Sequence, residues 1–255
     1  MKRFDQALRL KTGPVTFLST VLDRAAGDLD SMGLNLVTID HAEFLAINER
    51  YRDRGWYALN DHYAHERFLG LAITTADTDE VCAIVVSRPL DLDGGSLADA
   101  FADLSFVYPK GVPNGARDRF DGVPLPAHGI TGRASLIGGL WIDPRSSGRA
   151  GLGGSMLLSY ITRCIYAYTL GMENPDYCVC LVIDKLIRGR DKGRSMLDRY
   201  GFRYVAPGPL WVNHYPGEAE PDLPLNTSWA DKPALLSVLE ETSWVAGRTE
   251  LARAA

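Results

Sequence analysis

The stretch Arg145-Ser-Ser-Gly148-Arg149-Ala150-Gly151-Leu152-Gly153-Gly154-Ser155 constrains this chain more than any other. Before it stands an apolar run, Ala134 to Ile142, closed by Asp143-Pro144. After it, Met156 to Leu170 carries apolar residues at helical spacing. A glycine-rich turn from a strand into a helix exposes main-chain N–H groups that the first helical turn leaves unpaired, and the helix dipole favours negative charge there. The sequence therefore predicts a strand–loop–helix unit that holds a phosphate-bearing ligand. A glycine turn of purely structural use is the competing account.

Composition narrows the partners. The chain has 255 residues, 46% hydrophobic and 23% charged, an ordinary globular balance for one large domain or one domain with appendages. A formal net charge of −5 argues against a general nucleic-acid binder, which needs a basic footprint. No apolar run is long enough to span a bilayer and none follows Met1 as a signal core, so a cytoplasmic address is expected. Cys82, Cys164, Cys178 and Cys180 all fall inside apolar strand or helix patterns with no Cys-x-x-Cys pair. They are expected to be reduced and buried, without disulfides and without a metal.

Periodicity lays out the elements. Val15 to Leu29 predicts an amphipathic helix in an N-terminal segment 1–33. Leu34 to Asp40 predicts a strand, and His41 to about Arg54 a helix with Phe44, Leu45, Ile47 and Tyr51 buried, Asp40 and Glu43 forming a capping box. Phe68–Thr75 and Val81–Ser87 predict a hairpin. Residues 89–130, rich in Pro, Gly and Asp, contain a short helix, Ser96 to Leu104. They are too long for an empty connection and are expected to lie over a site or form a lid. Tyr177–Ile183 predicts a buried central strand. A helix over Arg190–Tyr200, strands at Phe202–Val205 and Leu210–Tyr215, and, after a proline-rich link, a helix from Lys232 to about Ala246 complete the pattern. The body is thus expected at 34–215 and a linker and helix at 216–255. Gly171 is the expected stop of the central helix.

Two motifs for the glycine stretch fail on residues. A P-loop requires Gly-Lys-Ser/Thr, and no lysine stands between Lys110 and Lys185. A dinucleotide fingerprint starting at Gly151 meets Met156 where its third glycine belongs. A strand ending Ile142-Asp143-Pro144, an Arg/Gly loop, a helix, an apolar strand, then Asp198-Arg-Tyr-Gly201-Phe202 instead resembles the core of the GNAT acyltransferase superfamily, over roughly Leu34 to Tyr215. The resemblance implies an α/β (α+β) fold: a mixed, mostly antiparallel, twisted sheet with helices on both faces and two central strands splayed around the cofactor. It implies acyl-CoA (coenzyme A) as co-substrate, its pyrophosphate on a loop of the form Arg/Gln-x-x-Gly-x-Gly/Ala. Arg145-Ser-Ser-Gly148-Arg149-Ala150 fits that pattern literally. Gly148 to Gly153 fits by its distance from the helix but lacks the leading Arg/Gln, and starting at Arg149 puts Leu152 at the central glycine. The implied cofactor-binding set is Ile142, Arg145, Gly148, Arg149, Ala150, Gly151, Leu152, Gly153, Gly154 and Ser155.

The same resemblance shows departures. Where the family often carries a catalytic glutamate on the strand before the loop, this chain has Gly138-Gly139. Where it often has a tyrosine four residues before the Gly of Gly-Phe, this chain has Leu197. The paired glycines leave room for a bulkier acyl chain or mark a β-bulge. The candidate bases are then Asp184, His128 and Asp103, and Ser87 and Arg88 are candidate contacts to an acceptor carboxylate. His62 and His65, three apart, lack a third metal ligand.

A second, shorter resemblance links Glu49-Arg-Tyr-Arg-Asp-Arg-Gly55-Trp56 and the following hairpin to acyl-homoserine-lactone synthases and N-acyl amino acid synthases. It implies long acyl chains delivered by acyl-carrier protein or coenzyme A, and Trp56 joins Arg88, Gly138 and Gly139 as candidate substrate contacts. The expected activity is N-acyl transfer from a thioester to a small-molecule amine, with a long-chain or autoinducer-type synthase and a catalytically silent acyl-CoA sensor as alternatives. A homodimer is a possible assembly, and neither nucleic acid nor a membrane span is expected.

Overall fold

The computed structural model describes residues 1–4, 10–51, 53, 65–92, 94–112, 118–146, 154–183, 202, 204–212 and 222–241. Its elements in chain order are β1 (Lys2–Arg3), α1 (Val15–Asp30), β2 (Leu34–Ile39), α2 (His41–Arg50), β3 (Leu69–Thr75), β4 (Val81–Leu90), α3 (Leu97–Ala102) and β5 (Arg119–Asp121). A 3₁₀ turn (Leu125–Gly129), β6 (Ala134–Ile142), α4 (Gly154–Glu173), β7 (Tyr177–Ile183), β8 (Tyr204–Val212), β9 (Leu223–Asp231) and α5 (Lys232–Glu240) follow. They form one nine-stranded sheet in the order β1-β2-β3-β4-β6-β7-β9-β8-β5. Every neighbouring pair is antiparallel except β6 and β7. This is the mixed, mostly antiparallel sheet the sequence implied.

Alternation along the strands feeds two cores. Leu34, Leu36, Leu71, Ile73, Val85, Ile137 and Cys178 face α1, α4 and α5, whose Leu18, Leu22, Ile161, Ile165 and Leu235 complete one cluster. Val37, Ile39, Ala72, Ile84, Val86, Leu136 and Val179 face α2 and α3, whose Phe44, Ile47, Leu97 and Phe101 complete the other. Covering both faces explains why β3 and β4 are buried at every position and read as unbroken apolar runs. The capping box at Asp40–Glu43 forms as expected, and Ser96 and Asp99 make a second one on α3.

Three expectations need correction. Helix α4 does not stop at Gly171 but runs on to Glu173. A Cβ on Gly171 would stand 2.6 Å from Leu10 Cδ2, so the glycine serves close approach of the N-terminal chain, whose Lys11 and Thr12 N–H groups donate to its carbonyl. The strands expected at 202–205 and 210–215 are one strand, β8, with a register shift at Pro207/Gly208. The segment taken for a proline-rich link contains β9, which lies between β7 and β8. Its middle, Asn226-Thr227-Ser228, is polar yet buried, and Thr227 Oγ1 donates to Gly208 O at 2.8 Å.

The described residues of 94–130 form a packed layer. Phe101, Phe106, Phe120 and Trp211 make a chain of ring contacts at 4.7–6.2 Å against the α2/α3 face, and β5 pairs with the far edge of β8. The expected second helix over 190–200 lies outside the described residues. Among those described, no helix is long and apolar enough to cross a membrane.

The four cysteines are free thiols. Burial pushes Cys164 up to about 12 and raises Cys178 further, and a thiol so shifted has almost no thiolate at neutral pH. Maleimide at pH 8 is therefore expected to label these two only on unfolding. Fast labelling of either in the native protein would contradict this packing.

Candidate functional site

The parallel pair organises the site. β6 and β7 are joined only by Ala134–Tyr177, Ser135–Cys178 and Leu136–Val179. Beyond them β6 continues to Ile142, still paired on its outer side with β4 as far as Ala83–Ile142. β7 continues to Ile183, still paired with β9 as far as Ile183–Leu225. The two strands thus part while each keeps its outer neighbour, leaving a wedge with its apex at Leu136–Val179. A splay between two central strands is what the sequence resemblance implied. Among the described residues, no strand lies opposite the inner edges of 137–142 and 180–183. Over six residues at about 3.3 Å each the β6 edge is roughly 20 Å long.

A bulge sits partway along that edge. Val86 pairs with Gly138 and Ile84 with Trp141, so Gly139 and Leu140 oppose the single residue Val85. Gly139 takes φ +57, the left-handed glycine of this kind of bulge, which takes one residue out of the ladder. The two sequence accounts of Gly138-Gly139 are thereby separated: a bulge is present. The space beside Gly139 is filled, because a Cβ there would lie 3.0 Å from Val86 Cγ2 and 3.1 and 3.2 Å from the Phe44 ring. Leu140, next along, is 43% exposed on a strand otherwise largely covered.

At the open end the chain enters the glycine loop. Asp143, 2% exposed, anchors its first residues: its N–H donates to Cys82 O, its carbonyl accepts from Ser146 N, and its carboxylate accepts from Arg145 N at 2.9 Å. The Arg145 guanidinium lies 3.3 Å from Asp143 and 2.9 Å from Glu80, with 58% of its side chain exposed. Sequence reasoning gave Arg145 to the ligand anion and did not find these two carboxylates, since Glu80 is a hairpin residue remote in the chain. Gly148, Arg149, Ala150, Gly151, Leu152 and Gly153 lie outside the described residues, and nothing is said of the Ser155 side chain. Gly154 opens α4, a helix of 20 residues whose N-terminus follows the loop at the open end.

The other candidates scatter. Asp184 follows Ile183 in the chain and, like Trp56, lies outside the described residues. Asp103 is exposed at the C-cap of α3, where its carboxylate accepts from Ser105 N at 2.8 Å. His128 is exposed on the 3₁₀ turn. That layer meets the sheet through the Ser96–Thr131 bridge, before β6 begins, at the closed end of the wedge. The hydrogen bond that Asp103 accepts from Ser105 lies within that layer. Arg88 is 1% exposed and donates to the carbonyls of Pro89, at 2.9 Å, and Phe106. His65 contacts Asp91 at 3.3 Å and accepts from Arg67 N, and no metal-holding group of His, Cys, Asp and Glu occurs among the described residues.

No family model matches the sequence, and no curated protein matches it. Among solved structures, the chain is similar to FeeM, an N-acyl amino acid synthase from uncultured soil microbes. Identity is 10% over 80% of this chain and 94% of that one, with a TM-score of 0.45. It is similar to the aminoglycoside acetyltransferase AAC(6')-Ib in complex with coenzyme A and kanamycin, at 11% identity over 80% and 98% of the two chains, TM-score 0.43. It is also similar to the spermidine N-acetyltransferase of Vibrio cholerae in complex with CoA and spermine, at 10% identity over 80% and 98%, TM-score 0.41. Strand order and the parted parallel pair, not these distant likenesses, define the fold described here.

Proposed function

We propose that the chain is a GNAT-type N-acyltransferase that moves an acyl group from a coenzyme A or acyl-carrier-protein thioester to a small-molecule amine. The observation that carries this is the β6/β7 wedge, opening toward the helix N-terminus that follows the glycine-rich loop. Ligands of sheets with parallel strands bind at the carboxyl ends of those strands, beside such helix ends. The main-chain N–H and C=O groups along the inner edges suit an extended arm carrying amides, which adds as a strand would. A pantetheine arm has that chemistry, and its phosphates then fall at residues 145–155.

The arm runs toward the apex and sets its thioester carbonyl beside the bulge. A main-chain N–H at the bulge, where the ladder with β4 is irregular, serves the oxygen as it gains charge. The neutral amine adds its lone pair to the carbonyl carbon, and the carbonyl π electrons move to oxygen. On collapse the C–S bond breaks, the thiolate leaves, and the nitrogen gives up a proton. Of the three candidate bases, Asp184 is retained because its chain neighbour Ile183 ends the free lip of the wedge.

Stabilisation by coenzyme A tests the donor. At one hundred times its Kd a ligand adds about 2.7 kcal/mol, a rise of roughly 5–11 °C in Tm for a chain of this size. Protection of the Gly148–Ser155 amides should accompany it. Thiol release from acetyl-, octanoyl- and acyl-carrier-protein thioesters over an amine panel then reads the reaction. A shift without thiol release would favour the sensor, and no shift with any donor would remove the proposed function.

A further inference from the structure

Resting on that proposed function, we infer that Phe44 of α2 sets the length of acyl chain this protein accepts. The reacting carbonyl lies beside Gly139-Leu140, and the acyl chain must leave the plane of the sheet there. On one face α4 covers Ile137 in a closed cluster. On the other, the first groups met beside Gly139 are Phe44 and Val86. Their atoms stand 3.0–3.2 Å from the point a Cβ would occupy. Phe44 is 0% exposed, and Phe68 packs on it with ring centroids 5.7 Å apart. Gly139 therefore makes space that the Phe44 ring fills from α2. A chain growing toward α2 meets an aromatic wall, and the volume of residue 44 fixes how many methylenes fit. Val86 is shorter and belongs to the strand that bears the bulge, so Phe44 is the adjustable part of that wall.

The test compares kcat/KM for acetyl-, hexanoyl- and octanoyl-coenzyme A in the wild type, Phe44→Leu and Phe44→Ala, with a thermal melt of each. The ratio of long over short donors should rise by roughly tenfold or more in Phe44→Ala, the discrimination one methylene commands in an apolar pocket. Phe44→Leu, which disturbs the core less, should move the ratio the same way by a smaller factor. A merely structural Phe44 lowers all three donors together, so an unchanged ratio in folded Phe44→Leu overturns the inference and leaves the proposed function standing. Absence of transfer from any thioester by the wild type removes both.

Discussion

On the proposed function, Gly139→Ala should cut acyl transfer by about 10²–10³-fold and lower stability together. At φ +57 a Cβ costs about 1–2 kcal/mol in backbone strain alone. It would also enter a space where Val86 and Phe44 stand 3.0–3.2 Å away, in a core whose side chains have little freedom to retreat. Together these amount to roughly 2–4 kcal/mol, or a fall in Tm of about 4–16 °C. The chain can escape by closing the bulge, but that shifts Leu140, Trp141 and Ile142 by one position against β4 and turns each to the opposite face. Either way the main-chain N–H groups proposed to serve the thioester oxygen are displaced, and loss of one such donor costs about 10²–10³ in kcat. Melting curves and thiol release on Gly139→Ala, with Gly138→Ala beside it, read both effects. Full activity at unchanged Tm in Gly139→Ala would show that the bulge is neither strained nor catalytic.

What the sequence made legible follows from which forces act locally. The β6 and β7 ranges could be read because their residues are almost all apolar, and α1 because its buried residues repeat at helical spacing. β9 could not be, because Pro224 and the run Asn226-Thr227-Ser228 deny it any apolar pattern. Its place comes from ladders to β7 on one side and β8 on the other. Gly171 resembled a helix stop because the sequence does not reveal that Leu10 packs on it. The wedge was implied by resemblance to a family, whereas its floor was not: Gly138-Gly139 reads as empty space until α2 supplies Phe44. Arg145, expected beside an anion, also pairs with Asp143 and with Glu80, a hairpin residue that only folding brings to it.

Arg88 separates a binding role from a structural one by an expected result of similar size. Its side chain is buried and bonded to the carbonyls of Pro89 and Phe106, so it ties the last part of β4 to the layer built by residues 97–121. Arg88→Ala strips those carbonyls of a charged donor and leaves a hole where the long stem packed. Breaking a buried charged contact of this kind costs about 3–5 kcal/mol, equivalent to roughly 6–20 °C in Tm. Arg88→Met restores most of the stem volume but no donor, and should recover part of that loss, whereas Arg88→Lys restores a donor without the planar fork. Limited proteolysis of Arg88→Ala should open within residues 89–130 before the rest of the sheet, because that layer loses its tie to β4. If Arg88 instead holds an acceptor carboxylate, Arg88→Ala raises the acceptor KM while Tm and the proteolytic pattern stay as in the wild type. Deep burial and two main-chain partners favour the first outcome, since the side chain already ties β4 to a neighbouring segment.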